Sequence, residues 1–246
     1  MPSPYPDVGY SLRPFYVSEN WGGAPVRLNS SGFRDAERSP AKPPGSCRII
    51  ALGDSFTFGS GVALEDSYVK VLERKSSFDR VEILNFGIPG YNTLQEVAFF
   101  KRLAINYQPD IVLLGYVLND HLAELIPDSD QPTPSRFWVK VMLRRSHVLH
   151  FVFRRIRPFL HRERHVGEID SDEGVYTRFD AQPGWPRTLN ALVELGHVAE
   201  RHGIPVVVIV FPFFHLLSDY PSSAIIGKSA EFQRRRIFTA WISLTS

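Results

Sequence analysis

Ser55, Gly90 and Asn119 are residue types from which an acyl-transfer site can be built. They stand in "RIIALGDSFTFG" (48–59), "NFGIPGYNT" (85–93) and "GYVLND" (115–120). A serine hydroxyl can attack a carbonyl carbon. A glycine N–H and an asparagine side-chain amide, joined by the backbone N–H of the serine itself, can hold the oxygen that turns negative. Each such donor typically contributes around 3 kcal/mol. Plainer readings stand beside these. Asp and Ser are common where a helix begins, Gly90 suits a turn, and Asn119 suits a turn or a cap. Asp54 is read as bracing the first loop, and Asp120 as holding Asn119.

The elements that must position these residues are legible in the pattern. Arg48 to Leu52, Val81 to Leu84, Ile111 to Leu114 and Pro205 to Phe211 are short, branched, nearly continuous apolar runs. Such runs suit strands buried on both faces of a parallel sheet. Between them, Thr93 to Tyr107 places Leu94, Val97, Phe100, Leu103, Ala104 and Tyr107 at helical spacing, with Asn92 or Thr93 as cap and Pro109 beyond the end. A second helix is expected from Trp185 to His202, with Leu189, Leu192 and Val193 inward. Strand and helix in alternation give an open α/β sheet, a three-layer α/β/α sandwich with a central parallel sheet. In such sheets ligands sit beyond the carboxyl ends of the strands. Three of the four strand ends carry glycine and polar residues, and they bring Ser55, Gly90 and Asn119 to one edge.

Length and composition narrow the classes. The 246 residues fit one large domain, or one domain with extensions. A net charge of +2 gives no reason to expect nucleic acid as partner. Cys47 is the single cysteine, so no intramolecular disulfide framework exists, and it has no spaced Cys or His partners for a metal. No cofactor or metal is expected. Residues 1–45, with Pro, Gly, Asn and Ser throughout, read as an extended lead-in packed on a domain over 46–246. The start lacks a secretory pattern, and no run approaches the roughly 18 apolar residues of a membrane span. The expectation for the chain as written is cytoplasmic.

With these residues in view, "GDSFTFG", "NFGIPGYNT" and "GYVLND" resemble the first three blocks of the SGNH, or GDSL-type, hydrolases. The upstream "NSSGFRD" and "PDIVLL" resemble the bacterial branch of that family. The resemblance implies the flavodoxin-like SGNH-hydrolase fold and an esterase or lipase acting on carboxylic esters. It makes Ser55 the nucleophile and completes the oxyanion hole with Gly90 and Asn119. It favours small esters, carbohydrate O-acetyl groups or short lipid esters as substrates.

A serine hydroxyl needs a base, a histidine held by a carboxylate. The family supplies both from one late Asp-x-x-His block, and none occurs here after Phe211. His215, just after the fourth strand and with Asp219 close by, is the candidate base, and His121 is a second. A late strand is found only if Ile237 to Leu244 provides it. With suitable codons, "FTAWISLTS" read one nucleotide earlier gives Leu-His-Gly-Leu-Asp-Leu-Leu-Asp-Leu. A frameshift or truncation that removed the catalytic His and Asp, and weakened the enzyme, is the expectation drawn from this.

An insertion at about 130–180 interrupts the rhythm. Within it, residues 136–165 mix apolar and aromatic residues with arginines and histidines at helical spacing. They read as an amphipathic helical segment packed on the sheet domain, or as a surface meeting lipid or a membrane. Two other functions remain open at this point. One is a carbohydrate O-acyltransferase, with a sugar hydroxyl in place of water. The other is a catalytically silent binding module that keeps the fold.

Overall fold

The structure is a computed structural model and describes residues 1–77, 80–117, 184–211 and the backbone of 238–240. All of these fall in one of the two units into which the chain divides, Met1–Ala123 together with Gly184–Ser246. The expected insertion at about 130–180 lies outside the described residues, and with it residues 136–165.

Five parallel strands form the sheet. They are β3 (Cys47–Gly53), β4 (Val81–Gly87), β5 (Ile111–Val117), β6 (Val206–Phe211) and β7 (Phe238–Ala240), in the spatial order β4-β3-β5-β6-β7. The four apolar runs expected as strands are all strands. Three of them run past the apolar residues into the glycines, because backbone pairing needs no side chain. The late strand comes from Phe238–Ala240, within the segment the sequence offered for it.

Helices cover both faces. Strand alternation turns Ile49 and Ala51 one way and Ile50 and Leu52 the other. The first pair packs with Ile83 against Val69 of α2 (Tyr68–Lys75). On the opposite face Phe86 meets Phe99 of α3 (Thr93–Arg102) at 5.8 Å between ring centroids, and α3 packs on α4 (Trp185–Arg201). Phe33 and Tyr107 complete an aromatic cluster with these rings. Each such ring, fully buried, contributes on the order of 1.5–3 kcal/mol. This is the three-layer α/β/α arrangement expected from the pattern.

Three local expectations are corrected. The helix expected over Thr93 to Tyr107 ends at Arg102, where Leu103 leaves helical dihedrals, and Ala104–Tyr107 forms a tighter 3-10 turn. The tight turn keeps Ala104 and Tyr107 buried together, and Gln108 before Pro109 cannot continue the helix. In α4 the inward stripe is Thr188, Ala191, Leu192, Leu195, Val198 and Ala199, whereas Leu189 and Val193 are only half-buried. The lead-in is not uniformly extended. It holds an antiparallel hairpin of β1 (Val17–Trp21) and β2 (Ala24–Arg27), turned by Gly22-Gly23. A two-residue Gly-Gly turn supplies the positive φ that hairpins prefer, and Ala24 and Val26 alternate inward. Among the described residues no helix is long and apolar enough to cross a membrane.

Candidate active site

The strand order reverses at β3 and β5, so the crevice of this sheet opens beyond their carboxyl ends. There a short helix, α1 (Ser55–Phe58), lies across the strand ends. The sheet makes room for it with glycine. Gly87, Gly53 and Gly115 stand side by side in register on β4, β3 and β5. A Cβ on Gly53 would come within 2.0 Å of Thr57 Oγ1, one on Gly115 within 2.5 Å of the same atom, and one on Gly87 within 2.2 Å of the Phe58 nitrogen. The buried Thr57 hydroxyl lies within hydrogen-bond reach of the Leu52 carbonyl and of the Tyr68 hydroxyl.

Asp54 is the cap of α1. Its Oδ1 accepts from the Phe56 N–H at 2.8 Å, and Ser55 is the first residue of the helix. Capping is thereby done without Ser55. The half-buried Ser55 hydroxyl lies 3.4 Å from Asp54 Oδ2. Burial pushes the Asp54 carboxyl above its ordinary pKa, against backbone and hydroxyl donors that pull it down.

The far end of α1 is held by Arg34, from the "NSSGFRD" block. Its guanidinium is fully buried and donates to four carbonyls, those of Phe58, Gly59, Pro25 and Val62. The next residue, Asp35, accepts from the Asn85 N–H at 2.9 Å and pairs with Lys70 at 2.6 Å, which docks the same block on β4 and α2.

The loop after β4 carries Gly90 and is tied to β3, because the Ile88 N–H donates to the Gly53 carbonyl at 2.9 Å. Residues 88–91 form a β-turn, closed by Tyr91 N–H to the Ile88 carbonyl at 3.1 Å. Pro89 and Gly90 are its central residues, and Gly90 has φ +84°, as a type II turn requires at that position. Asn92 then caps α3 in a reciprocal capping box with Gln95. Gly90 is thus a turn glycine, and its N–H is the feature left for chemistry. Ser55 and Gly90 are brought to one edge of the sheet, on loops that follow neighbouring strands. Asn119, His215, His121 and Asp219 lie outside the described residues. His197 is exposed on α4, and the His202 ring lies 2.9 Å from the Val198 carbonyl at that helix's end. Among the described residues no group of His, Cys, Asp and Glu could hold a metal ion.

A family model of GDSL-like lipases and acylhydrolases matches residues 51–233, most of the chain and all of the strand ends just described. The chain belongs to the GDSL-like lipase/acylhydrolase family. Membership supports acylhydrolase activity. Among solved structures it is similar to a G-D-S-L family protein from Desulfitobacterium hafniense DCB-2, at 14% identity over 80% of this chain and 77% of the other, with a TM-score of 0.46. It is similar to AlinE4, an SGNH-hydrolase family esterase, at 16% identity over 81% and 77%, with a TM-score of 0.46. TesA aligns at 14% identity over 79% and 76%, with a TM-score of 0.44. At these TM-scores the likenesses add nothing to the family assignment. A comparison with curated proteins returned no match.

Two residues that hold the loops of Ser55 and Gly90 carry no signal in the sequence. The sequence pattern gives no role of its own to Arg34, within "NSSGFRD", or to Tyr10. Tyr10 donates to the Pro89 carbonyl at 2.5 Å from 79 residues away, a contact with no local pattern to announce it.

Proposed function

We propose that this acylhydrolase cleaves carboxylic esters through an acyl-enzyme on Ser55. The Ser55 Oγ attacks the acyl carbon while its proton passes to His215. The tetrahedral oxyanion is held by the Ser55 and Gly90 N–H groups and the Asn119 side chain. Collapse of the intermediate breaks the ester bond, and His215 returns the proton to the departing alkoxide. Water, giving a proton to His215, then attacks the acyl carbon, the bond to Ser55 Oγ breaks, and His215 returns the proton to Ser55 as the acid leaves. The observation that carries this reading is the position of Ser55. It begins α1 at the carboxyl end of β3, with capping done by Asp54, beside the loop that bears Gly90.

Phe56 supports a small or medium acyl group as substrate. It follows Ser55, is 38% exposed, and its ring lies 5.7 Å from that of Phe211 at the end of β6. These rings offer an apolar wall beside the hydroxyl. The basic stretch 136–165 is proposed as a lipid- or membrane-facing surface on its sequence alone.

Hydrolysis of p-nitrophenyl esters from acetate upward, with the wild-type chain beside Ser55→Ala, tests the proposal. Activity should vanish with Ser55→Ala and fall steeply with His215→Ala. Equal rates from wild type and Ser55→Ala would remove Ser55 from the mechanism.

A further inference from the structure

The Pro89–Gly90 peptide unit is the part of the candidate site that its own turn does not hold. The turn bond joins Ile88 and Tyr91, so neither the Pro89 carbonyl nor the Gly90 N–H takes part in it. The two turn types open to a Pro-Gly pair differ mainly by a rotation of this central peptide. Glycine at the third position allows both, because it adopts negative and positive φ alike. In one orientation the Gly90 N–H faces a given side of the loop, and in the other it faces away.

Tyr10 acts on this one freedom. Its hydroxyl donates to the Pro89 carbonyl at 2.5 Å. In a planar trans peptide the carbonyl and the N–H point in opposite directions, so fixing Pro89 C=O fixes Gly90 N–H. A hydrogen bond to the carbonyl also polarises the peptide and makes its N–H a stronger donor. Among the described residues no acceptor meets the Gly90 N–H.

Tyr10 is itself held firmly. The Tyr91 hydroxyl donates back to the Tyr10 backbone carbonyl. The two rings meet edge to face, with centroids 5.1 Å apart and an interplanar angle of 80°. The Gln95 side chain donates to the Val8 carbonyl at 3.1 Å, and Tyr10 bridges to Pro2. A Cβ on Gly90 would lie 2.9 Å from the Tyr10 hydroxyl, so the glycine lets the phenol approach. Burial and the charge of Asp54 push the Tyr10 pKa up to about 12, which keeps the phenol a donor at ordinary pH.

We infer that Tyr10, carried in from the N-terminal arm, is a positioning residue that sets the orientation of the Gly90 N–H as an oxyanion donor. The inference rests on the assignment of Ser55 and Gly90 proposed above. Tyr10 stays off the substrate and acts through the peptide plane.

Tyr10→Phe keeps the ring and removes the bond. Two measurements test it, with Ser55→Ala alongside. In p-nitrophenyl acetate hydrolysis kcat should fall about 10-fold, a fraction of the roughly 10²–10³-fold cost of losing an oxyanion donor itself, while KM changes by less than about two-fold. In 15N-labelled protein the Gly90 amide resonance should shift and broaden while the sheet resonances stay in place. An unmoved Gly90 resonance overturns the inference whatever the activity. A Tyr10→Phe kcat equal to wild type, with Ser55→Ala inactive, overturns the inference alone. Equal rates for wild type and Ser55→Ala overturn the esterase reading and this inference with it.

Discussion

Gly53 and Gly115 pair in register across β3 and β5, and a Cβ on either would strike the same atom, Thr57 Oγ1. The helix that begins with Ser55 thus rests on the sheet at a level where no side chain fits. Substituting these glycines should move Ser55, the proposed nucleophile, rather than merely crowd the core. Gly115→Ala should destabilise by about 1–3 kcal/mol through overpacking and lower esterase turnover. Gly87→Ala should cost more, since its Cβ would meet the backbone of Thr57 and Phe58 and not a side chain. Adding Thr57→Ala should recover part of the loss in Gly115→Ala and little of that in Gly87→Ala. Urea denaturation of the two double-mutant cycles checks this ordering; equal recovery in both would count against it.

Asp54 gives a pH signature. Its folded pKa is raised by burial above the 3.8 of a free carboxyl, so across the window above 3.8 the folded state holds the proton more tightly than the unfolded one. The contribution of Asp54 to stability therefore declines as pH rises through that window and levels off above the folded pKa. Asp54→Asn preserves a capping oxygen and removes the ionisation. The stability of wild type relative to Asp54→Asn should fall from about pH 4 upward. Chemical denaturation at a series of pH values reads it, and a difference that grows in favour of wild type over that range would contradict the buried-carboxyl account.

The parallel sheet and its flanking helices are legible in the sequence. The strands could be read because a branched apolar run bounded by glycine has few competing interpretations. The glycines that follow three of these runs are legible as a pattern, but their packing role is not: α1 rests on Gly53, Gly87 and Gly115, where a Cβ would strike it. The hairpin was missed although "WGGAPV" contains its turn, since the surrounding proline and serine masked a short alternation. Tyr10 and Arg34 were missed for a different reason. Tyr10 reaches 79 residues along the chain and Arg34 between 9 and 28, and no helical or strand period encodes contacts at those ranges. The break at Leu103 was invisible because a 3-10 turn keeps residues three apart on one side almost as an α-helix does.

Arg34 carries the next prediction. One planar guanidinium answers four carbonyls from β2, α1 and the loop to Val62, and its ring-facing side lies 5.3 Å from the centre of Phe58. A lysine ammonium has three donors on a single nitrogen and cannot span that set. Arg34→Lys should therefore leave buried carbonyls unpaired and lower stability by about 3 kcal/mol. It should also reduce kcat, because the carboxyl end of α1 would lose its anchor. A loss under about 1 kcal/mol in thermal or urea unfolding would show that the clasp is not needed.

Phe56 lets acyl-chain selectivity be separated from chemistry. Phe56 follows Ser55, is 38% exposed, and its ring lies 5.7 Å from that of Phe211. These rings are the surface proposed to meet the acyl chain, and apolar burial contributes roughly 25 cal/mol per Å². A longer acyl chain covers more of that surface than acetate does. Phe56→Ala should thus lower kcat/KM for p-nitrophenyl butyrate and hexanoate more than for the acetate, by about 1 kcal/mol of discrimination, or roughly five-fold. The loss should fall mainly in KM, since the contact is made equally in ground and transition states. A uniform fall in kcat across the whole ester series would instead mean that Phe56 supports the geometry of α1, and that the acyl chain lies against another wall.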